Sequence, residues 1–379
     1  MEHDGFREDL AEGALTQRFA IGIDLGTTNS AVATIDLSQH ARTIRFFEIP
    51  QLVAPGEVAS RSILPSFLYL PGSYDLAPGS TALPWDDSRT YAVGELAREQ
   101  GARVPGRLVS SAKSWLAHAG VDRGAPILPW GTSGDGVSPV EASRRYLQHI
   151  RESWDAGVAR GRDGFFFHEQ LVILTVPASF DEVARELTLQ AARDAGIPRP
   201  ILLEEPLAAF YAWLSAHEET WQAEMEAGQL VLVCDVGGGT TDFSLIGIQE
   251  GERGLRFTRF AVGEHLMLGG DNMDHALARH LESRMTGGER LDPLRWHQLV
   301  HRCRRAKEEL LGGRAERLEV TLPGEAGRLV AGTLQAELTR EDVAHLLIDG
   351  FFPVVGRDEA PAARRGLTEL GLPYVHDPR

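Results

Sequence analysis

The chain has 379 residues, 43% hydrophobic and 24% charged, enough for about two to three domains of roughly 150 residues with sizeable cores and too apolar for wholesale disorder. Its net charge of −16, from 38 basic and 54 acidic residues, argues against a large nucleic-acid footprint or an anionic membrane surface as partner. No apolar run reaches the roughly 18 residues of a membrane span, and Met1 to Arg18 lack an apolar signal core. With only Cys234 and Cys303, a disulfide framework is excluded and a reducing, cytoplasmic compartment is expected. Of the 38 basic residues only two are lysine, Lys113 and Lys307. In so arginine-rich a chain, a lysine hints that a compact ammonium is needed where a guanidinium fork will not serve.

Residues 1–18 are expected to be a disordered leader. Phe19 to Asp24 reads as a short buried strand, Leu25 to Ser30 as a polar turn, and Ala31 to Ile35 as a second strand, the pattern of a hairpin. Residues 71–90 and 120–138 are rich in Gly, Pro, Ser and Asp and read as loops. Ser138-Pro139-Val140-Glu141 is a capping box with proline at the first helical position. The helix after it places Val140, Tyr146, Leu147, Ile150 and Trp154 near one face. Leu171 to Val176 is a continuous apolar run of the buried parallel-strand type. Asp181 is the expected cap of the next helix and Gly196 its stop. Ile201 to Leu203 is a short strand, and Glu204-Glu205-Pro206 opens another helix. The first pattern then returns: strand Leu230 to Asp235, turn Val236 to Thr241, strand Asp242 to Ile248. This is a duplication at domain scale, and two such α/β halves would enclose a cleft.

A turn of glycines and threonines between two strands offers clustered amides and hydroxyls, a nest for phosphate. An aspartate at the end of the preceding strand suits Mg²⁺, which keeps much of its hydration shell. No GxxxxGK[ST] P-loop is present.

Ile23-Asp24-Leu25-Gly26-Thr27-Thr28-Asn29-Ser30 and Asp235-Val-Gly237-Gly238-Gly239-Thr240-Thr241-Asp242 resemble the two phosphate motifs of the heat-shock-70 (DnaK-like) chaperones, within the actin and sugar-kinase superfamily. Ser111-Ala112-Lys113 resembles that family's catalytic-lysine segment. Thr175-Val-Pro177-Ala-Ser-Phe180 resembles "TVPAYF", and Glu204-Glu205-Pro206-Leu-Ala-Ala209 resembles "NEPTAA". Gly269-Gly270-Asp271-Asn272-Met273-Asp274 resembles "GGEDFD", and Arg305-Ala306-Lys307 resembles "ERAK". The similarity runs from about residue 19 to 345, and both lysines fall where the family uses one.

The resemblance implies an α/β, actin-like ATPase fold: two ribonuclease-H-like lobes around a nucleotide cleft. Lobe I would span 19–205 with an inserted subdomain at 59–137, lobe II 206–345 with a subdomain at 264–340, and 346–379 would be a tail. The function implied is ATP binding and slow hydrolysis in a chaperone-like protein, with ATP or ADP and Mg²⁺ as cofactors and nucleotide state driving lobe movement. Asp24 and Asp235 would organise Mg²⁺, mostly through water. Gly26, Thr27, Thr28, Asn29, Gly237, Gly238, Gly239, Thr240, Gly269, Gly270 and Lys307 would hold the nucleotide. Lys113, Glu205, Asp235 and Asp242 would carry the catalysis, while Pro177 and Arg185 would relay nucleotide state. Partners implied are co-chaperones and a client polypeptide, through a region C-terminal to this chain.

Departures accompany the match. The family's acid before Arg-Ala-Lys is Arg304 here, its following arginine is Glu308 and its serine is Leu311, and the late "VGGSTRIP" segment is absent. These predict a second lobe incomplete at its C-terminus and weakened nucleotide binding. Two other readings stand beside this one: a small-molecule (sugar-type) kinase of the same superfold, and a non-hydrolysing nucleotide sensor or filament subunit. His297 and His301, four apart near Cys303, have helical metal spacing, but without the glutamate of HExxH or an evident third ligand they do not read as a metal site. Cys234 reads as a small core hydrophobe.

Overall fold

A computed structural model describes residues 17–40, 43–118, 120–131, 136–251, 254–264, 266–323, 332–359, 367–369 and 372–374. The expected leader up to residue 16 and most of the tail beyond 359 lie outside them. The chain forms two compact units.

The first unit comprises residues up to Arg98, Val109–Asp235 and Thr241–His265. The expected hairpin is β1 (Phe19–Leu25) and β2 (Asn29–Asp36), antiparallel from Phe19↔Asp36 to Leu25↔Ser30. Short β3 (Arg45–Phe46) and β4 (Leu64–Pro65) both pair with β2. Helix α1 (Glu95–Arg103) runs from this unit into the second, and α2 (Ala112–Ala117) follows. In α3 (Pro139–Trp154) the Ser138 hydroxyl accepts from the Glu141 amide, and Val140, Tyr146, Leu147, Ile150 and Trp154 are buried as their spacing predicts. This helix is the crossover that a parallel strand requires. Strand β5 (Leu171–Val176) lies parallel to β1, Ala20↔Leu171 to Ile23↔Leu174. Helix α4 (Glu182–Asp194) is capped by Asp181, which accepts from the Ala184 amide, and ends before Gly196 at φ +85°. Strand β6 (Ile201–Glu204) adds to β5, giving the order β6-β5-β1-β2-β3.

Helix α5 (Glu205–Ala216) starts directly at the end of β6. A second sheet of order β7-β8-β9 follows: β7 (Leu230–Val236), β8 (Thr241–Gly251) and β9 (Gly254–Val262). Leu207 and Phe210 of α5 bury against Ile246 and Ile248 of β8, with Leu203 of β6 alongside. The compact unit therefore continues past the division expected at 205/206, because one helix serves both sheets. The lobe boundaries read from sequence remain a proposal.

Strand β7 corrects the reading of Cys234. Val231 and Val233 pack on the core, but Leu230 and Leu232 are 53% and 58% exposed and Cys234 is exposed with them. The equivalent Ile21 and Ile23 of β1 are fully buried. The physical reason is position: β1 lies between β2 and β5, whereas β7 is an edge strand among the described residues. Cys303, by contrast, is fully buried. A thiol reagent is therefore expected to modify Cys234 alone in the native chain and both cysteines after denaturation; a protected Cys234 would contradict this.

The second unit comprises Glu99–Leu108, Val236–Thr240 and the chain from Leu266 on. Helices α6 (Gly270–Thr286) and α7 (Pro293–Leu311) pack on the antiparallel hairpin of β10 (Arg317–Leu322) and β11 (Leu334–Thr339). Asp292 caps α7 by accepting from the Arg295 amide, with Pro293 at its first position. Leu277, Leu281, Leu299, Cys303, Leu310, Leu322 and Leu338 form the core, each large side chain contributing about 1.5–3 kcal/mol by burial.

Candidate functional site

A charged centre lies in the first unit. Lys113, the second residue of α2, has a side chain 12% exposed whose Nζ pairs with the Glu205 carboxylate. Ser111, the cap of α2, holds φ +54°, a left-handed conformation costly for a residue other than glycine and concentrated at functional sites. Glu205 enters as the first residue of α5. Asp24 stands at the end of β1, where the Thr175 hydroxyl donates to its Oδ1 at 3.1 Å. Asp235 is the next-to-last residue of β7, and Asp242, buried, is the second residue of β8.

The electrostatics join these residues. Burial pushes the Lys113 pKa down, but Glu205, Asp24 and Asp235 outweigh it and hold the ammonium above its ordinary 10.5. Burial raises the Glu205 carboxyl, opposed by Lys113 and reinforced by Asp24 and Asp235. Burial likewise raises Asp235, with Asp242 and Asp24 adding to it against Lys113. Glu205, Asp24 and Asp235 thus share the Lys113 ammonium while Asp242 acts on Asp235, a donor set left anionic and fitted to a divalent cation. Among the described residues no three His, Cys, Asp or Glu converge for direct coordination. Mg²⁺ here would accordingly be held by one or two carboxylates plus water.

The first turn is Gly26 to Thr28, with Asn29 opening β2. A Cβ on Gly26 would lie 2.2 Å from the Asn29 carbonyl oxygen, so the turn closes too tightly for a side chain. Ser66 supports it: its amide donates to the Thr28 carbonyl at 2.9 Å and its hydroxyl bonds the Ser30 hydroxyl. Ser66 carries no sequence signal. Thr175 sits inside a motif, but nothing local assigns it to Asp24.

The second turn belongs to the second unit. The Gly237 amide donates to the Thr240 carbonyl at 2.8 Å, and the first amides of α6, on Gly270 and Asp271, donate to the Gly237 and Gly238 carbonyls at 3.1 and 2.7 Å. A Cβ on Gly269 would lie 2.6 Å from the Gly237 oxygen, so only glycine permits this docking. Lys307 Nζ donates to the Gly270 carbonyl at 3.0 Å and pairs with Asp274 at 2.7 Å. Gly237, Gly238, Thr240, Gly269, Gly270 and Lys307 are thus brought together.

The family model described as "Hsp70 protein" matches residues 125–355. The chain belongs to the Hsp70 family. With that membership comes the actin-like ATPase fold expected from the motifs. The "Chaperone protein HscA homolog" of Acidithiobacillus ferrooxidans is 31% identical over 361 residues, covering 94% of this chain and 50% of the relative. "Chaperone protein HscA" of Cronobacter sakazakii is 30% identical and that of Klebsiella pneumoniae 31%, each over 365 residues with the same coverage. The chain spans about half the length of these curated relatives.

The Hsp70 departures take on a physical meaning. Arg304 forks between Asp271 at 2.5 Å and Asp274 at 2.6 Å, with its side chain 12% exposed. Its charge is thereby consumed between α6 and α7, beside Lys307. Pro177 follows β5, and Arg185 on α4 donates to the carbonyls of Ala178 and Phe180 and to Glu204. His297 and His301 lie on α7. Among the described residues no helix is long and apolar enough to cross a membrane.

Proposed function

We propose that this chain is the nucleotide-binding part of an Hsp70-type chaperone-like protein, binding Mg·ATP or Mg·ADP and hydrolysing ATP slowly. The observation that carries the reading is the Lys113–Glu205 pair set among Asp24, Asp235 and Asp242. Phosphoryl transfer needs positioning and charge neutralisation more than covalent chemistry. Thr27, Thr28, Thr240 and the amides of their glycine neighbours would hold phosphate oxygens. Lys113 would place a point charge on the γ-phosphate, which an arginine fork would not reproduce. Glu205 and Asp242 would orient water, and Asp24, steadied by Thr175, would share with Asp235 the hydration shell of Mg²⁺. When bound, Mg²⁺ would neutralise charge developing on the phosphates.

Gly269, Gly270 and Lys307 would hold the rest of the nucleotide, with Arg304, Glu308 and Leu311 weakening the grip relative to the family pattern. Pro177 and Arg185 would relay nucleotide state, and a client polypeptide and co-chaperones would be partners of the longer protein. Calorimetric titration with Mg·ATP tests the reading, and absence of binding would overturn it.

A further inference from the structure

Glu204 departs from the asparagine of the "NEPTAA" pattern, and the structure gives it two arginines. Its carboxylate accepts from Arg185 Nη2 at 2.9 Å and pairs with Arg259 Nη1. The side chain is 15% exposed, at the end of β6 and immediately before Glu205. Arg185 also donates to the Ala178 and Phe180 carbonyls, tying the loop after Pro177 to the same carboxylate.

Arg259 reaches Glu204 from β9, a strand of the other sheet of this unit. The β8–β9 register shows how. Leu245 pairs with Ala261, but Ile246 pairs with Arg259, so Phe260 is an extra residue in the ladder. A β-bulge turns the strand locally and re-aims side chains, and bulges gather beside active sites. The bulge and the double arginine contact are independent observations that converge on one carboxylate. Glu204 also adds a negative charge one residue from Glu205, which already shares Lys113 with Asp24 and Asp235. The two guanidinium groups offset that charge and fix the chain direction at the start of α5.

We propose that Glu204 and Arg259 are positioning residues that lock the first turn of α5 and so hold Glu205 against Lys113. The consequence for catalysis rests on the nucleotide reading above; the consequence for Lys113 does not. Two lysines in the chain make the test clean. Competitive labelling of amines, read by peptide mapping, reports Lys113 with Lys307 as internal reference.

Arg259→Met and Glu204→Gln are each expected to raise Lys113 labelling several-fold while Lys307 stays unchanged. In single-turnover assays Arg259→Met is expected to slow ATP hydrolysis about tenfold, as small misplacements of catalytic groups do, with Mg·ATP affinity within about twofold. Arg259→Lys, which keeps a cation on Glu204, is expected to recover most of the rate, and combining Arg259→Met with Glu204→Asn is expected to slow hydrolysis no further than either change alone. Unchanged Lys113 labelling overturns the proposal. So does a parallel loss of rate, affinity and thermal stability without rescue, which would mark a merely structural role. If Lys113 labelling responds but the unaltered chain neither binds nor hydrolyses Mg·ATP, the lock stands and the nucleotide reading falls.

Discussion

Lys113→Ala is expected to lower single-turnover ATP hydrolysis by about 10²–10³-fold, the usual consequence of removing one preorganised charge stabiliser from a water-poor site. Lys113→Arg is expected to recover little of that rate, because a planar fork cannot occupy the place of a compact ammonium. The same change alters stability in a pH-dependent way. Burial already raises the Glu205 carboxyl above its ordinary 4.5, and Lys113 is the group that pulls it back. Without the ammonium the carboxyl rises further. A carboxyl whose folded pKa is raised contributes stability that is full below its unfolded value and is lost as pH rises through the folded value. The variant is therefore expected to lose thermal stability more steeply than the parent chain as pH rises above the ordinary carboxyl value of 4.5. In the parent, Lys113 is held above 10.5, so its own contribution is full below that pH and is lost only as pH rises through the higher folded value. Thermal unfolding of both proteins as pH is raised checks the sign; parallel curves would mean that Lys113 and Glu205 are not coupled.

Gly26→Ala is expected to cost about 10- to 100-fold in Mg·ATP affinity, roughly 1.4–2.8 kcal/mol. The added carbon meets the Asn29 carbonyl oxygen at 2.2 Å, and backbone cannot rotate out of the way as a side chain can. The turn must open, carrying Thr27 and Thr28 with it and breaking the bond from the Ser66 amide to the Thr28 carbonyl. Overpacking of this kind costs about 1–3 kcal/mol of stability. Gly157→Ala is the matched control, since nothing lies within 4 Å of the added carbon, and it should leave affinity unchanged. Equal binding by the two variants would show that the first turn does not hold phosphate.

What could be read from the sequence follows the range of the interactions involved. The β1–β2 hairpin, the Ser138 and Asp181 caps and the buried strand β5 each depend on neighbouring residues, and the structure has them as expected. Exposure of Cys234 depends on which strands flank β7, and alternation of apolar residues does not specify that. Lys113 and Glu205 are 92 residues apart, and Thr175 and Asp24 are 151 apart. The first pair was legible only through resemblance to a family, and the second not at all. Arg304 reads from the sequence only as a departure from the family pattern, because its partners Asp271 and Asp274 lie on another helix. Arg259 carried no signal, since a bulge is a property of the ladder and not of the residue.

Isothermal titration of the chain with ATP, in the presence and in the absence of Mg²⁺, tests most directly whether the Asp24, Lys113, Glu205 and Asp235 centre belongs to a nucleotide site. The expected result is saturable Mg·ATP binding that weakens without the metal and weakens again in Gly26→Ala. No saturable heat with either form of ATP, or binding indifferent to both Mg²⁺ and the Gly26 substitution, would contradict it.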